Sequence, residues 1–277
     1  MIKRVDSHHH VWRLDRGDYD WLTPDDYPTL QRDFGAPDLA PLLAEFAINT
    51  SVLVQAAETI AETRHMLAVA EQNDFIEAVV GWVDITRTDA PDTLATLAGN
   101  PLFRGIRPMI VFQDDMAWPA SSNMQRALEE LSRLSLVFDA LVAAEQLDGL
   151  RDVMVANPDL PFVINHFGYP DIAGGDIAGW RESMAAIARD TCATVKFSGV
   201  MMDLGGDRPA ADFRPAADHL LEHFGPKRLM WGSDWPHLLA DSDYPAWYAL
   251  SASLLDGVSP EDRAWLYGGT AARVYGL

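Results

Sequence analysis

Short apolar runs alternate with amphipathic helical segments along most of this chain. The first helical segment has apolar residues spaced i, i+3, i+4 and i+7, which share one helix face: Leu39, Leu42, Leu43 and Phe46. The run after it, Ser51–Ala57, is mostly apolar and predicts a buried strand. The same alternation predicts strands at 76–84, 102–111, 134–141, 161–168, 194–201 and 228–236, and helices at 58–73, 91–99, 123–133, 143–156, 176–190, 212–224 and 244–255.

A further apolar run, which starts at Val5, raises the number of predicted strands to eight. Apolar strands that alternate with helices are typical of a parallel sheet covered by helices. Eight such units in 277 residues predict a (β/α)8 TIM barrel, an α/β fold, as a single domain over residues 1–277. A doubly wound open sheet is the competing fold, but no glycine-rich dinucleotide fingerprint follows the first strand. Ser259-Pro260 predicts the start of a last helix, which ends near Tyr275.

Charge and cysteine content narrow the classes of function. With 21 Lys+Arg against 41 Asp+Glu, the formal charge is −20, which disfavours nucleic acid and anionic membranes as partners. A small anionic substrate is still compatible, because a local cation can reverse the field inside a pocket. Cys192 is the only cysteine, so an intrachain disulfide and a cysteine metal cluster are excluded. Without a signal peptide or a long apolar span, the sequence predicts a soluble, cytoplasmic protein, and a homo-oligomer is compatible with it.

The segment Arg13–Phe34 has neither a helical nor an alternating period and predicts a long loop. Loops of this length in compact domains are often functional. Its aromatic residues Tyr19, Trp21 and Tyr27 could line the mouth of a pocket or pack the loop onto the barrel, and we favour packing.

The first strand contains three consecutive histidines. Side chains of a strand alternate between its faces, so Asp6, His8 and His10 are predicted to share one face and His9 to point away. Two imidazoles on one face can bind a metal ion or hydrogen-bond a substrate oxygen. A remnant of an affinity tag and a surface strand with incidental histidines are the alternatives.

Polar residues end nearly every predicted strand. The chemistry of a TIM barrel lies at the carboxyl ends of its strands, where this sequence has Gln55, Asp84, Arg104, Arg107, Asp139, Asn165, His166, Lys196, Ser198 and Asp234. Asp84 and Asp139 could instead cap the following helices, and Lys196 could extend out of the barrel. Asp234 differs, because a carboxylate at a buried strand end is costly unless it is paired, bound to metal or needed for chemistry.

Other polar residues have ordinary structural interpretations. Arg107 could pair with an outer carboxylate, and His166 could be a hydrogen-bonded histidine of the core. Three histidines lie on predicted helices and are expected to be exposed to solvent: His65, His219 and His223. His237 follows the eighth strand, and its role is undecided.

The histidines and the aspartate together resemble a known family. His8-x-His10 on the first strand, His166 on the sixth and Asp234 on the eighth are similar to the amidohydrolase superfamily of (β/α)8 hydrolases. Its lactonase branch, which includes sugar-acid lactonases and 2-pyrone-4,6-dicarboxylate lactonase, is resembled by further segments: Asp6–Trp12, Arg16–Leu22, Leu53–Ala56, Gly81–Asp84, Arg104–Pro108, Lys196–Gly199 and Trp231–Pro236. The resemblance extends from residue 5 to the end of the chain.

The resemblance also limits the expected metal content. Two-metal members of the superfamily have a lysine or glutamate on strand four and a histidine on strand five, whereas this chain has arginines and Asp139 there. At most one ion, zinc or manganese, could be held by a single set of residues: His8, His10, His166 and Asp234. The lactonase branch is thought to work without an obligatory metal, so no obligatory cofactor is expected.

The activity that the resemblance implies is hydrolysis of a lactone. Asp234 would be the base for water, and His8, His10 and His166 would polarise the carbonyl. The residues expected to bind substrate are Arg107, Lys196, Gln55, Ser198 and Trp235. The few cations at the rim favour a sugar-acid lactone over a dicarboxylate lactone of aromatic degradation. A metal-dependent decarboxylase or hydratase of the same superfamily and a non-catalytic binding barrel are the alternatives.

Overall fold

A computed structural model describes residues 3–112, 122–201 and 208–277. Eight parallel strands follow one another in a single sheet, in the order β1 to β8: β1 Val5–His9, β2 Thr50–Val54, β3 Ile76–Gly81, β4 Phe103–Ile106, β5 Val137–Ala140, β6 Phe162–Ile164, β7 Thr194–Phe197 and β8 Leu229–Trp231. The sheet closes where His10 N donates to Trp235 O and Asp234 N donates to His8 O. The predicted (β/α)8 TIM barrel is confirmed.

Helices cover the outside of the barrel between the strands: α1 Ala36–Glu45, α2 Ile60–Ala70, α3 Ala90–Leu97, α4 Ser122–Arg133, α5 Leu147–Ala156, α6 Ala178–Asp190, α7 Ala210–His223 and α8 Tyr244–Leu254. A C-terminal helical segment comprises α9 Pro260–Ala264, a π-helical turn Trp265–Gly269 and α10 Thr270–Tyr275. As predicted, Ser259 caps it, since its side chain accepts from Asp262 N. No helix in the described ranges is long and apolar enough to cross a membrane.

The predicted strands are too long at their carboxyl ends. The predicted sixth strand reaches residue 168, but β6 ends at Ile164, and the predicted eighth strand reaches residue 236, but β8 ends at Trp231. Beyond these ends His166 and Asp234 adopt φ values of 51° and 61°. This left-handed region costs a non-glycine residue about 1–2 kcal/mol. An apolar pattern cannot reveal such turns, which are concentrated at functional sites.

Apolar side chains of the strands pack together with the C-terminal helix. They form one cluster with two residues of α10: Val5, Val52, Val54, Ala78, Val80, Val137, Val163, Met230, Ala271 and Tyr275. A larger apolar cluster lies between the sheet and the helices. In a barrel of this type the ligand site is expected at the carboxyl ends of the strands.

Candidate active site

The first strand does not alternate as its sequence predicts. The Asp6 carboxylate accepts a hydrogen bond of 3.1 Å from the Tyr244 hydroxyl on α8, so it faces the helices and not the barrel interior. The register of β1 against β2 shifts between Asp6 and His9, and such an irregularity breaks the period of two. The prediction that Asp6 shares a face with His8 and His10 is therefore wrong.

His8, His10 and Asp234 meet at the carboxyl end of the barrel. The two Nε2 atoms are 3.1 Å apart, and Asp234 Oδ1 lies 3.4 Å from His8 Nε2 and 3.2 Å from His10 Nε2. His166 Nε2 is slightly farther, 3.8 Å from the same oxygen. All four side chains are buried. The structure thus brings together the four residues that were selected as catalytic from the sequence.

Two unusual backbone conformations and one close glycine position this group. Asp234 and His166 both lie in the left-handed region. Gly199, at φ 69°, lies so close to His166 that an added Cβ would be 2.1 Å from His166 Nδ1. Side chains that require such local strain are typical of sites where geometry is under functional constraint.

Gly199→Ala is expected to displace the His166 ring and to lower kcat by about 10²-fold, because a misplacement of about 1 Å has effects of that size. The matched control is Gly175→Ala, since Gly175 has φ 75° and nothing within 4 Å of an added Cβ. Both variants should lose stability, but only Gly199→Ala should lose turnover. Equal kcat values in the two variants would contradict the assigned role of His166.

A buried ion pair lies below the histidines. Lys196 Nζ is 2.5 Å from Asp139 Oδ2 and 3.1 Å from His8 Nδ1, and the Tyr275 hydroxyl donates to Asp139 Oδ1 at 2.7 Å. Burial lowers the pKa of Lys196, while the adjacent Asp139 carboxylate acts in the opposite direction. The alternatives considered for these residues are wrong, because Asp139 does not cap a helix and Lys196 does not extend out of the barrel.

Burial also sets the protonation of the site. It lowers the pKa of His166 to about 3 and lowers the pKa values of His8 and His10 as well. Burial alone would raise the pKa of Asp234, but the histidines around it, His166 first among them, bring that pKa below its ordinary value. At neutral pH the site therefore contains an ionised carboxylate among neutral imidazoles.

The triangle of His8 Nε2, His10 Nε2 and Asp234 Oδ1 has the size of a metal site. Sides of 3.1–3.4 Å place its centre about 1.9 Å from each atom, close to the bonds of about 2.0–2.2 Å that zinc makes to nitrogen and oxygen. His10 is also suitably oriented, since its Nδ1–H donates to Val54 O and leaves Nε2 free to ligate. His8 does not fit, because a lysine and not an acceptor faces its Nδ1. The distances suit an ion, but the donor chemistry at His8 opposes it.

A cavity of about 600 Å³ opens above this centre. Among the predicted site residues, four line it: His10, Arg107, His166 and Asp234. Such a volume is in the range of sites for small ligands.

Two residues that line this cavity each have a buried polar atom without a hydrogen-bond partner. Asp234 Oδ2 and Arg107 Nε have no hydrogen-bond partner among the described residues. Buried polar atoms are normally paired, so an unpaired acceptor and an unpaired donor at one cavity indicate groups that bind a ligand. Arg107 is held in place by a reciprocal pair of bonds, since its Nη2 donates to Gln55 O and Gln55 Nε2 donates to Arg107 O.

Four other residues that were expected to bind substrate do not line the cavity. Gln55 supports Arg107 as described, and Lys196 pairs with Asp139. Ser198 Oγ lies 3.0 Å from His166 Nδ1, and Trp235 is buried, with its ring 5.5 Å from that of Phe34. Direct contact of these four residues with substrate stays a prediction.

Two aromatic residues of the loop Arg13–Phe34 and His237 also line the cavity. Trp21 and Tyr27 line it, with ring centroids each 5.4 Å from the His237 ring. Both residues also pack against the apolar core, so the two interpretations hold together for them, while Tyr19 is buried and only packs. His237 Nδ1 lies 3.7 Å from Asp234 Oδ2. Its position three residues after Asp234 was the available signal.

Tyr169 and Asp26 also line the cavity. They lie in loops, where no periodicity marks a residue that faces a ligand. Among the helical histidines, His219 is buried and donates through Nε2 to Arg181 O, so the expectation that it is exposed is wrong.

Comparisons with known proteins show the family and the fold. A family model described as amidohydrolase matches residues 5–277. An L-fucono-1,5-lactonase of Burkholderia ambifaria is 37% identical over 99% of this chain and 96% of that relative. A crystal structure of an amidohydrolase from Burkholderia multivorans with bound zinc has a TM-score of 0.94 and 31% identity, and it covers 99% of both chains. A probable 2-pyrone-4,6-dicarboxylic acid hydrolase of Acinetobacter baumannii, with a TM-score of 0.82 and 19% identity over 100% of both chains, shares the fold.

Proposed function

The chain belongs to the amidohydrolase family, and we propose that it is a lactonase that hydrolyses the ring ester of a sugar-acid lactone. The observation that supports this most directly is the pair of buried, unsatisfied atoms on two cavity-lining residues, Asp234 Oδ2 and Arg107 Nε. Ester hydrolysis needs an acceptor for a proton of water and donors for the carbonyl oxygen, and these two atoms supply one of each. The relatedness to L-fucono-1,5-lactonases supports the class of substrate.

Asp234 is the general base in this proposal. Its Oδ1 is in contact with the histidines, whereas Oδ2 has no hydrogen-bond partner in the described part of the chain. Oδ2 accepts a proton as the oxygen of water attacks the lactone carbonyl. When the tetrahedral intermediate collapses, the ring C–O bond breaks and Asp234 returns this proton to the leaving alkoxide. The product is an open hydroxy acid, and the base is regenerated.

Arg107 and His166 stabilise the oxyanion. Arg107 presents the unpaired Nε–H, and a guanidinium remains charged at every relevant pH. Ser198 Oγ contacts Nδ1 of neutral His166; when this hydroxyl donates, the proton of the ring is on Nε2, the atom near Asp234. His10 does not donate through Nε2 in its neutral form, because its proton is on Nδ1 and bonds to Val54 O. The sequence predicted three histidines that polarise the carbonyl. In this proposal only His166 does so, together with Arg107.

A bound ion would supply Lewis-acid chemistry, but none of these steps requires it. The hydrogen bond from Lys196 to His8 Nδ1 disagrees with the protonation that a ligating His8 needs.

The charges in the cavity favour a neutral lactone. Arg107 is the single permanent cation among its described lining residues, whereas Asp26 and Asp234 are acidic. Lys196 does not reach the cavity wall and is already paired with Asp139. A substrate with two carboxylates would leave at least one of them without a partner, which is costly in a partly buried site.

The test is to offer the protein a panel of lactones and to measure the hydrolysis of each by the protons that it releases. Neutral 1,5-lactones of sugar acids should have kcat/KM values at least about 10²-fold above that of 2-pyrone-4,6-dicarboxylate, the size of discrimination that unpaired polar groups produce. A preference for the dicarboxylate would contradict the assigned substrate class. Loss of carbon dioxide from an aromatic acid without any lactone turnover would support the decarboxylase alternative. Ligand-induced thermal shifts without turnover would support the binding barrel.

A further inference from the structure

The ion pair of Lys196 and Asp139 has no role in the steps above, although both side chains are fully buried. The pair contacts the active site at one atom, His8 Nδ1, which lies 3.1 Å from Lys196 Nζ. Tyr275 holds the other side of the pair through Asp139 Oδ1. A buried charge pair is costly to maintain, and we therefore ask what this pair does to its neighbour His8.

The proton positions of the histidines follow from their partners. A carbonyl oxygen can only accept, so His10 has its proton on Nδ1, which faces Val54 O at 2.8 Å, and has a lone pair on Nε2. An ammonium group can only donate, so Lys196 places the lone pair of His8 on Nδ1 and its proton on Nε2.

The opposite tautomer of His8 would be unfavourable in this cluster. His8 Nε2, His10 Nε2 and Asp234 Oδ1 would then be three acceptors within 3.1–3.4 Å of one another, with no proton among them. Arg107 Nη1, 3.4 Å from His8 Nε2, would donate to it in that tautomer, but Lys196 Nζ lies nearer to the ring, 3.1 Å from Nδ1. With the proton on His8 Nε2, one donor faces both acceptors, His10 Nε2 and Asp234 Oδ1, which lie 3.2 Å apart.

We propose that Lys196, held by Asp139 and Tyr275, is a positioning residue that fixes His8 as a hydrogen-bond donor to His10 and Asp234, so that a proton occupies the place that a divalent ion would take. His8 Nε2, His10 Nε2 and Asp234 Oδ1 have the spacing of a metal site, and Lys196 lowers the affinity of this site for a metal ion in two ways. Its hydrogen bond holds the His8 tautomer that cannot ligate through Nε2, and its positive charge lies one imidazole away from the ion position. Ligating histidines usually have an acceptor at their second nitrogen, and here that place is taken by a cation.

The proposal predicts that Lys196→Met converts the cluster into a better zinc site. Met fills a similar volume without charge or donor, so His8 can move its proton to Nδ1 and ligate through Nε2. Zinc affinity, measured by titrating zinc into the metal-free protein against a chelating dye, should increase about 10–100-fold, the usual size of changes beside metal ligands. The matched control is Lys227→Met at an exposed lysine, which should leave zinc affinity unchanged.

The second measurement determines the tautomer of His8 in the unaltered protein, so it does not depend on the folding of Lys196→Met. In ¹⁵N-histidine spectra of the metal-free protein, the signals lost in His8→Asn should be those of a neutral ring protonated at Nε2. A His8 ring protonated at Nδ1, or a folded Lys196→Met with unchanged zinc affinity, would overturn the proposal. Neither measurement uses a lactone, so this inference can fail while the proposed function holds. It rests on the proposed function only in treating the cluster as the active site of the hydrolase.

Discussion

Asp234→Asn should lower kcat on the best lactone by about 10³-fold, within the range of about 10²–10⁴ that a general base contributes. The amide keeps the shape of the side chain, but it cannot take a proton from water. Asparagine also tolerates the left-handed backbone, so φ 61° at this position is not a reason for unfolding. Steady-state kinetics with the substrate selected from the panel gives the measurement.

Two controls separate chemistry from folding in this variant. Its midpoint of thermal unfolding should stay within about 5 °C of the parent value, because a change of 1 kcal/mol shifts a protein of this size by about 2–4 °C. KM should change much less than kcat, since the lost proton acceptor acts mainly in the transition state. A folded Asp234→Asn enzyme with nearly full kcat would show that another group is the base.

Arg107→Met should lower kcat/KM by about 10²–10³-fold, the effect of removing one donor from an oxyanion site. The side chain is buried, its Nε has no partner in the described residues, and it lines the cavity beside Asp234. Methionine preserves the apolar volume but removes the charge and the donors. The comparison is made at saturating and at low substrate concentrations, so that kcat and KM are obtained separately.

Arg104→Met is the matched control for Arg107→Met. Arg104 lies three residues earlier, on β4 itself, and is not among the residues that line the cavity. The control should retain kcat/KM within about threefold, because substitutions away from a site change little. Equal losses in the two variants would mean that Arg107 acts through stability and does not contact the reacting oxygen.

The pattern of the sequence was sufficient to predict the barrel. The apolar strands, their alternation with helices and their number depend on periodicities that are written locally in the chain. That three histidines converge on Asp234 Oδ1 was also predictable, because in a TIM barrel every strand brings its carboxyl end to the same side. The resemblance to the amidohydrolase superfamily singled out His8, His10, His166 and Asp234 among the polar residues at the strand ends.

The sequence did not reveal where each side chain points at the strand ends. Asp6 was predicted to join His8 and His10, but the shifted register of β1 turns it toward α8. Trp21 and Tyr27 pack against the core, as favoured from the sequence, and they also line the cavity. Register shifts and loop directions depend on contacts with distant elements, which have no local periodicity.

The sequence by itself determined that this protein is a TIM barrel of the amidohydrolase type with three histidines and one aspartate at its active end. Only the tertiary structure decided what these groups can do, because proton positions depend on partners that are far apart in the chain. Lys196 meets His8 across 188 residues, and Tyr275 meets Asp139 across 136. The triangle of His8 Nε2, His10 Nε2 and Asp234 Oδ1 has the size of a metal centre, but Lys196 beside His8 favours a proton over a metal ion there. No pattern along the chain contains that information.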